Sequence, residues 1–216
     1  MPKKDKIIYL IRHGETAYNK LGVVQGSGID ADLNATGLAQ ADAFFEMYKS
    51  IPFQKIYISK LKRTYQTVRN FIDLGMPYEE LIGLNEISWG EKEGKIPNSQ
   101  ENATYAELLD AWAQGQTHVA AVGGESPEQV IERQKIALEI ILKNTTENLI
   151  LIAMHGRAMR ILLTQLLNVP LNQMDNFEHT NTCLYLLKYT YQNASFELLK
   201  ANDVTHLIAS KENILV

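Results

Sequence analysis

Short apolar runs that stop abruptly at polar junctions alternate along this chain with longer stretches of helical spacing. Ile7 to Ile11 is such a run, rich in β-branched and aromatic residues, and Arg12-His13-Gly14 follows it at once. The pattern predicts a buried strand ending in a functional loop. Thr36 is the expected cap of a helix carrying Leu38, Ala41, Phe44, Phe45 and Tyr48 at helical intervals. Lys55 to Ile58 reads as a second strand, Leu61 to Leu74 as a second helix, and Leu81 to Ile87 as a third strand or an extended loop. Residues 88–124 are more polar and lack a clean period, apart from a helical stretch at Tyr105 to Trp112. They read as an insertion or lid.

The pattern then resumes. Ser126-Pro127-Glu128-Gln129 combines a capping Ser, Pro at the first helical position and Gln three residues after the cap. Val130, Ala137, Leu138 and Ile141 continue that helix. Leu149 to Met154 is a further buried strand ending in His155-Gly156, and Ala158 to Leu167 a helix. Cys183 to Tyr189 and Phe196 to Lys200 read as strands joined by a turn at Gln192-Asn193. Strands alternating with helices predict an α/β fold. The expected form is a three-layer α/β/α domain over residues 1–216, with a mostly parallel sheet, helices on both faces and the lid-like insertion at 88–124.

Composition narrows the possible functions. A chain of 216 residues suits one domain, and 45% hydrophobic residues supply a sizeable core. Gly (13) and Pro (6) are too few for a disordered chain. Twenty-one basic and 25 acidic residues give a net charge of −4, which argues against a nucleic-acid partner held over the whole surface. The single Cys183 allows no internal disulfide and no cysteine-rich zinc site. The Met1–Lys6 start precedes only five apolar residues, short of a secretory core of roughly 7–15 and a span of about 20. The expectation is a soluble, cytoplasmic protein with no membrane partner, in which the Asn-x-Ser/Thr matches at Asn34, Asn102, Asn144 and Asn193 are fortuitous.

In open parallel sheets ligands bind beyond the carboxyl ends of the strands. Arg12-His13-Gly14 and His155-Gly156 lie at such ends, and Arg63 follows a third. Two arginines and two histidines at one edge suit an anion, because a guanidinium fork pairs two oxygens at once. A neutral imidazole can attack phosphorus, and the Gly after each His lets the backbone N–H approach an oxyanion. A lone histidine is more often structural; two His-Gly pairs after two buried strands favour a site. No His-Glu-x-x-His or similar cluster offers a metal site, and no cofactor is expected.

Arg12-His13-Gly14-Glu15-Thr16 with Asn19 resembles the signature of the histidine phosphatase superfamily, which includes the cofactor-dependent phosphoglycerate mutases. Ser59 to Thr64 with Thr67, Leu84-Asn85-Glu86 with Gly90 and Glu93-Gly94, Gly123 to Ser126, and Met154-His155-Gly156 resemble its later blocks in the same order. The resemblance implies that His13 is the nucleophile and that Arg12, Arg63 and His155 clamp the phosphoryl oxygens. It also implies Asn19 and the Gly156 N–H as further donors, Glu86 as the proton donor and later the base, and Gln25 and Gly26 as substrate contacts. His206 resembles a C-terminal family stretch, with a structural role as the alternative. His118 and His179 read as surface or loop residues, Arg160 as a salt-bridge or solvent position, and Cys183 as core. Arg157 replaces the small residue frequent in the family. Trp89 and Trp112 either line the pocket or pack the insertion.

The same resemblance implies a phosphatase of the histidine acid phosphatase type acting on a small phosphorylated metabolite. Mutases of the family follow the catalytic Glu with Arg, whereas Ile87 follows Glu86 here, and Asn98 to Gly124 contains no Arg or Lys. A phosphoglycerate mutase is the alternative. A protein-phosphohistidine phosphatase is a further one, disfavoured by the 88–124 segment.

Overall fold

The computed structural model describes residues 4–212. The expectation for the N-terminal leader therefore falls partly outside the described residues, at Met1 to Lys3. In chain order the elements are β1 (Lys6–Arg12), α1 (Ala17–Lys20), α2 (Ala35–Tyr48), β2 (Lys55–Ile58), α3 (Lys62–Asp73) and β3 (Tyr78–Glu80). There follow α4 (Ser99–Ala113), α5 (Pro127–Lys143), β4 (Leu149–Met154), α6 (Gly156–Leu167), β5 (Leu184–Thr190), β6 (Ser195–Asp203) and α7 (Thr205–Glu212). Short 3-10 turns lie at Ile82–Leu84, Gly90–Lys92 and Leu171–Asn176. Among the described residues no helix is long and apolar enough to cross a membrane.

The strands form one sheet in the order β3-β2-β4-β1-β5-β6. β3, β2, β4 and β1 run parallel, and β5 and β6 complete the other edge antiparallel. This is the expected mostly parallel α/β sheet. Side chains of β4 alternate between faces, as a strand sandwiched between two helical layers requires. Ile150, Ile152 and Met154 join a core with α5 and α6, while Leu151 and Ala153 join Phe44 of α2 and Val68 and Phe71 of α3.

Two expected elements differ in detail. Asn34, not Thr36, caps α2, accepting a hydrogen bond from the Gly37 N–H at 2.8 Å. The helix starts one turn position earlier than its apolar stripe, so Thr36 falls inside the first turn. The third strand is Tyr78–Glu80 rather than Leu81 to Ile87, which forms a 3-10 turn and then a loop. A short edge strand of polar residues has no buried alternation to betray it. The cap at Ser126 is as expected: its side chain accepts from the Gln129 N–H and the Gln129 side chain accepts from the Ser126 N–H.

Register places the site. β1 and β4 are neighbours, with Arg12 opposite Met154, and Ile58 at the end of β2 lies opposite Ala153. The His13 N–H donates to the Met154 carbonyl at 2.9 Å. The residues after these strands therefore emerge side by side at one edge of the sheet.

Candidate active site

His13 and His155 leave β1 and β4 with ring centroids 5.2 Å apart, both buried. The His13 Nδ1 lies 2.7 Å from the Gly14 carbonyl oxygen. A carbonyl only accepts, so Nδ1 carries the proton, and Nε2 of the neutral ring keeps a free lone pair. Burial, reinforced by the charges of Arg63 and Arg12, holds this imidazole well below the usual histidine range. It is neutral at pH 7. Thr67 of α3 accepts from the Gly14 N–H at 2.9 Å, and Asn181 donates to the His13 carbonyl at 3.1 Å, which fixes the loop.

A pocket in front of His13 is lined by Arg12, Asn19, Gln25, Glu86, Gly156 and His179, among others. Arg12 Nη1 donates to the His179 carbonyl at 2.5 Å, and its Nε is buried without a partner among the described residues. Asn19 uses Oδ1 to accept from Thr16 N–H and Asn181 Nδ2, both at 3.2 Å, and its amide N–H group has no acceptor among the described residues. The Gly156 N–H opens α6 and likewise has no acceptor among the described residues. Arg12, Asn19 and Gly156 thus bring donor groups to one pocket, an arrangement suited to an anion.

Glu86 reaches the same pocket from the loop after the Ile82–Leu84 turn. Its Oε1 accepts from the N–H groups of Ala158 (2.8 Å) and Ile87 (2.9 Å), and its Oε2 from that of Arg157 (3.1 Å). The carboxylate thus satisfies orphan donors in the first turn of α6. Arg133 of α5 holds the loop itself. Its guanidinium donates to the carbonyls of Gly83, Asn85 and Glu86 at 2.9–3.0 Å and pairs with Glu125, whose Oε2 also accepts from the Ser88 N–H.

Arg63 and His155 stand behind this pocket rather than in its lining. Arg63 Nε donates to His155 Nδ1 at 3.0 Å, so the proton of the neutral ring sits on Nε2 and is given to Ser59 Oγ at 2.8 Å. The other Arg63 nitrogens donate to the carbonyls of Ile29 (2.7 Å) and Gly26 (3.2 Å), and burial pulls its pKa down to about 10. In this geometry the Arg63 donors named above and the Nε2–H of His155 point to protein groups at the base of the pocket. Gln25 lines the pocket, and Gly26 gives its carbonyl to Arg63. With the Gln25 amide oriented to satisfy its neighbours, its oxygen accepts from Arg63 and its nitrogen donates to Thr16 Oγ1 at 2.7 Å. Both residues hold Arg63.

His179 departs from its expected surface position. It lies in a loop, but its ring lines the pocket so closely that a β-carbon on Gly156 would sit 2.4 Å from its Cδ2. Burial and the Arg12 charge push its pKa down to about 3. His118 is exposed as expected. Arg160 and Arg157 share Asp175, and the Arg157 guanidinium lies 5.5 Å from the Trp112 ring centroid and 6.0 Å from that of Trp89. Trp89 both lines the pocket and packs the insertion. Trp112 is core. His206 is buried, and its Nε2 lies 3.1 Å from the Oγ1 of Thr182, a residue held at a φ of +54°. Sequence reasoning placed Ser59 and Glu125 inside motif blocks without giving them a role, and it missed Arg133 and Asn181. Among the described residues no group of three or more His, Cys, Asp or Glu is arranged to hold a metal ion.

Comparison with known proteins agrees with this geometry. The family model described as Histidine phosphatase superfamily (branch 1) matches residues 8–203. Branch 1 is a different subfamily from the histidine acid phosphatases, which corrects the expected enzyme type. Fructose-2,6-bisphosphatase TIGAR B of Danio rerio is 32% identical over 155 residues, covering 69% of this chain and 56% of that protein. The chain thus spans about half the length of the TIGAR relatives it matches. The protein named "Probable phosphoglycerate mutase GpmB" of Proteus mirabilis is 30% identical over 210 residues, covering 93% of this chain and 94% of that one. Among solved structures, the alpha-ribazole phosphatase of Shigella flexneri has the same fold, with a TM-score of 0.79 at 24% identity over 92% of this chain and 96% of its own.

Proposed function

The chain belongs to the histidine phosphatase superfamily, branch 1, and from that premise we propose that it hydrolyses phosphomonoesters of a small metabolite through a phosphohistidine. The observation that carries this reading is the state of His13. It is buried and neutral, its Nδ1 proton is tied to the Gly14 carbonyl, and its Nε2 has no partner among the described residues and faces a cationic pocket. Nε2 attacks phosphorus and forms the N–P bond as the ester P–O bond breaks. Arg12, Asn19 and the Gly156 N–H bind the charge on the phosphoryl oxygens. Arg63 and His155 are further members of that clamp: the Arg63 guanidinium, with five N–H donors, supplies positive charge from behind the pocket, and the neutral His155 supplies its Nε2–H on releasing Ser59.

Glu86 protonates the departing alkoxide. Oε1 already accepts two N–H groups and Oε2 one, so Oε2 is the oxygen that carries the proton. Water then attacks the phosphohistidine, gives its proton to Glu86 and releases phosphate and neutral His13. The 88–124 segment acts as a lid: Trp89 and Tyr105 from it line the pocket. Relatives named as phosphatases support the hydrolytic outcome, as does Ile87 in place of the Arg that follows the catalytic Glu in mutases.

Single turnover quenched in alkaline detergent, where the N–P bond survives, tests the reading. A phosphohistidine should accumulate in the wild type and be absent in His13→Ala, with turnover lost for every ester. Vanadate, which imitates five-coordinate phosphorus, should compete with substrate. Incubation with 3-phosphoglycerate and a bisphosphate primer should release phosphate; rapid formation of 2-phosphoglycerate instead would make the chain a mutase.

A further inference from the structure

A second cleft, of about 430 Å³, continues from the reaction pocket. The two share Arg12, Asn19, Val24 and Tyr105 as lining. Beyond these residues Lys92 and Lys95 line the cleft, donated by the Gly90–Lys92 turn and the loop that follows it. The absence of basic residues from Asn98 to Gly124 therefore does not leave this wall uncharged, because the charges enter just before that stretch.

The two lysines differ in their surroundings. Lys95 Nζ pairs with Glu101 at 3.2 Å, within the same cleft, so its charge is already balanced. Lys92 is half-buried and has no carboxylate within ion-pair distance among the described residues. Its Nζ donates to Thr104 Oγ1 at 2.6 Å, and that hydroxyl in turn donates to the Glu101 carbonyl at 3.1 Å. A hydroxyl orients the ammonium without neutralising it, and two of its three protons remain for another acceptor. Val23, Val24, Pro97 and Tyr105 also line the cleft and give it an apolar wall suited to a short carbon skeleton.

We propose that Lys92 is the centre of a second anion-binding locus, so that the substrate is a phosphomonoester bearing a further carboxylate or phosphate at the far end of its skeleton. This inference rests on the phosphatase reading above. The shared chemistry is a terminal anion, and three esters of one skeleton separate its sources: butyl phosphate, 4-phosphooxybutanoate and 1,4-butanediol bisphosphate. Their kcat/KM values are to be compared in the wild type, Lys92→Met, Lys92→Arg and Lys95→Met, with p-nitrophenyl phosphate as the common reference.

The wild type should prefer at least one doubly anionic ester to butyl phosphate, and the preferred arm identifies the carboxylate or the phosphate. In Lys92→Met that preference should fall about 10- to 100-fold, mainly through KM, as expected for losing a charge-assisted hydrogen bond. Lys92→Arg should keep most of the preference, and Lys95→Met should change it far less than Lys92→Met. An equal preference in wild type and Lys92→Met overturns the proposal. Failure of the wild type to hydrolyse any ester, p-nitrophenyl phosphate included, overturns the phosphatase reading and this one with it.

Discussion

The Glu86 carboxylate accepts three backbone N–H groups, two of them from the first turn of α6, so it supports that helix as well as the chemistry. Glu86→Gln keeps an oxygen for those donors but has no acidic proton. In the burst phase it should slow alkyl esters about 10²–10⁴-fold and p-nitrophenyl phosphate far less, because the aryl oxide needs no protonation. Equal burst losses for both esters would remove Glu86 as the acid. At this scale the sequence made the meeting of His13, Glu86, Arg12 and Gly156 at one pocket legible, because each sits in a short contiguous block. It did not show that Arg63 and His155 bond each other behind the pocket, nor that His179 lies over Gly156. Those facts depend on side-chain directions and on contacts between distant segments, which local spacing does not encode.

Where elements meet, Gly83 decides how closely the Glu86 loop can lie on α5. A β-carbon there would sit 2.4 Å from the Arg133 carbonyl and 2.7 Å from the Ala137 side chain. Gly83→Ala should therefore lift the loop off α5 and strain the Arg133 bonds that hold it. Overpacking of this kind costs roughly 1–3 kcal/mol, and each kcal/mol lowers Tm by about 2–4 °C in a chain of this size. Differential scanning calorimetry and kcat on the same variant should both fall; an unchanged Tm would mean that the contact is loose. Strands β1, β2 and β4 were readable because their apolar runs end at abrupt polar junctions. β3 was not, since Tyr78-Glu79-Glu80 is short and exposed at the sheet edge, and the start of α2 was misplaced because Thr36 is as good a cap in sequence as Asn34.

Across the whole molecule, buried neutral histidines tie stability to pH. Burial pushes the His206 pKa down to about 4, and His13 and His155 are also held well below the usual value of 6.5. Unfolded rings bind protons below that value while the folded ones do not, so the unfolded state carries more protons and stability rises with pH. The stabilisation is complete above pH 6.5 and is lost as pH falls, over the window from 6.5 to about 4 for His206. Each such ring should contribute a slope of about 1.4 kcal/mol per pH unit within its window. Urea titrations of His206→Asn between pH 7.5 and 4.5 should show a shallower slope than wild type, and an identical slope would exclude His206. The placement of β1 in the sheet also governs time. Its partners are β4 and β5, so the apolar run from Ile7 to Ile11 waits for strands that begin about 140 residues later. At ribosomal speeds of roughly 5–20 residues per second, that wait lasts about 7–30 s. Throughout it the nascent chain carries an apolar β-segment without its sheet partners, and the pocket at the end of that segment assembles only after the greater part of the chain has been made.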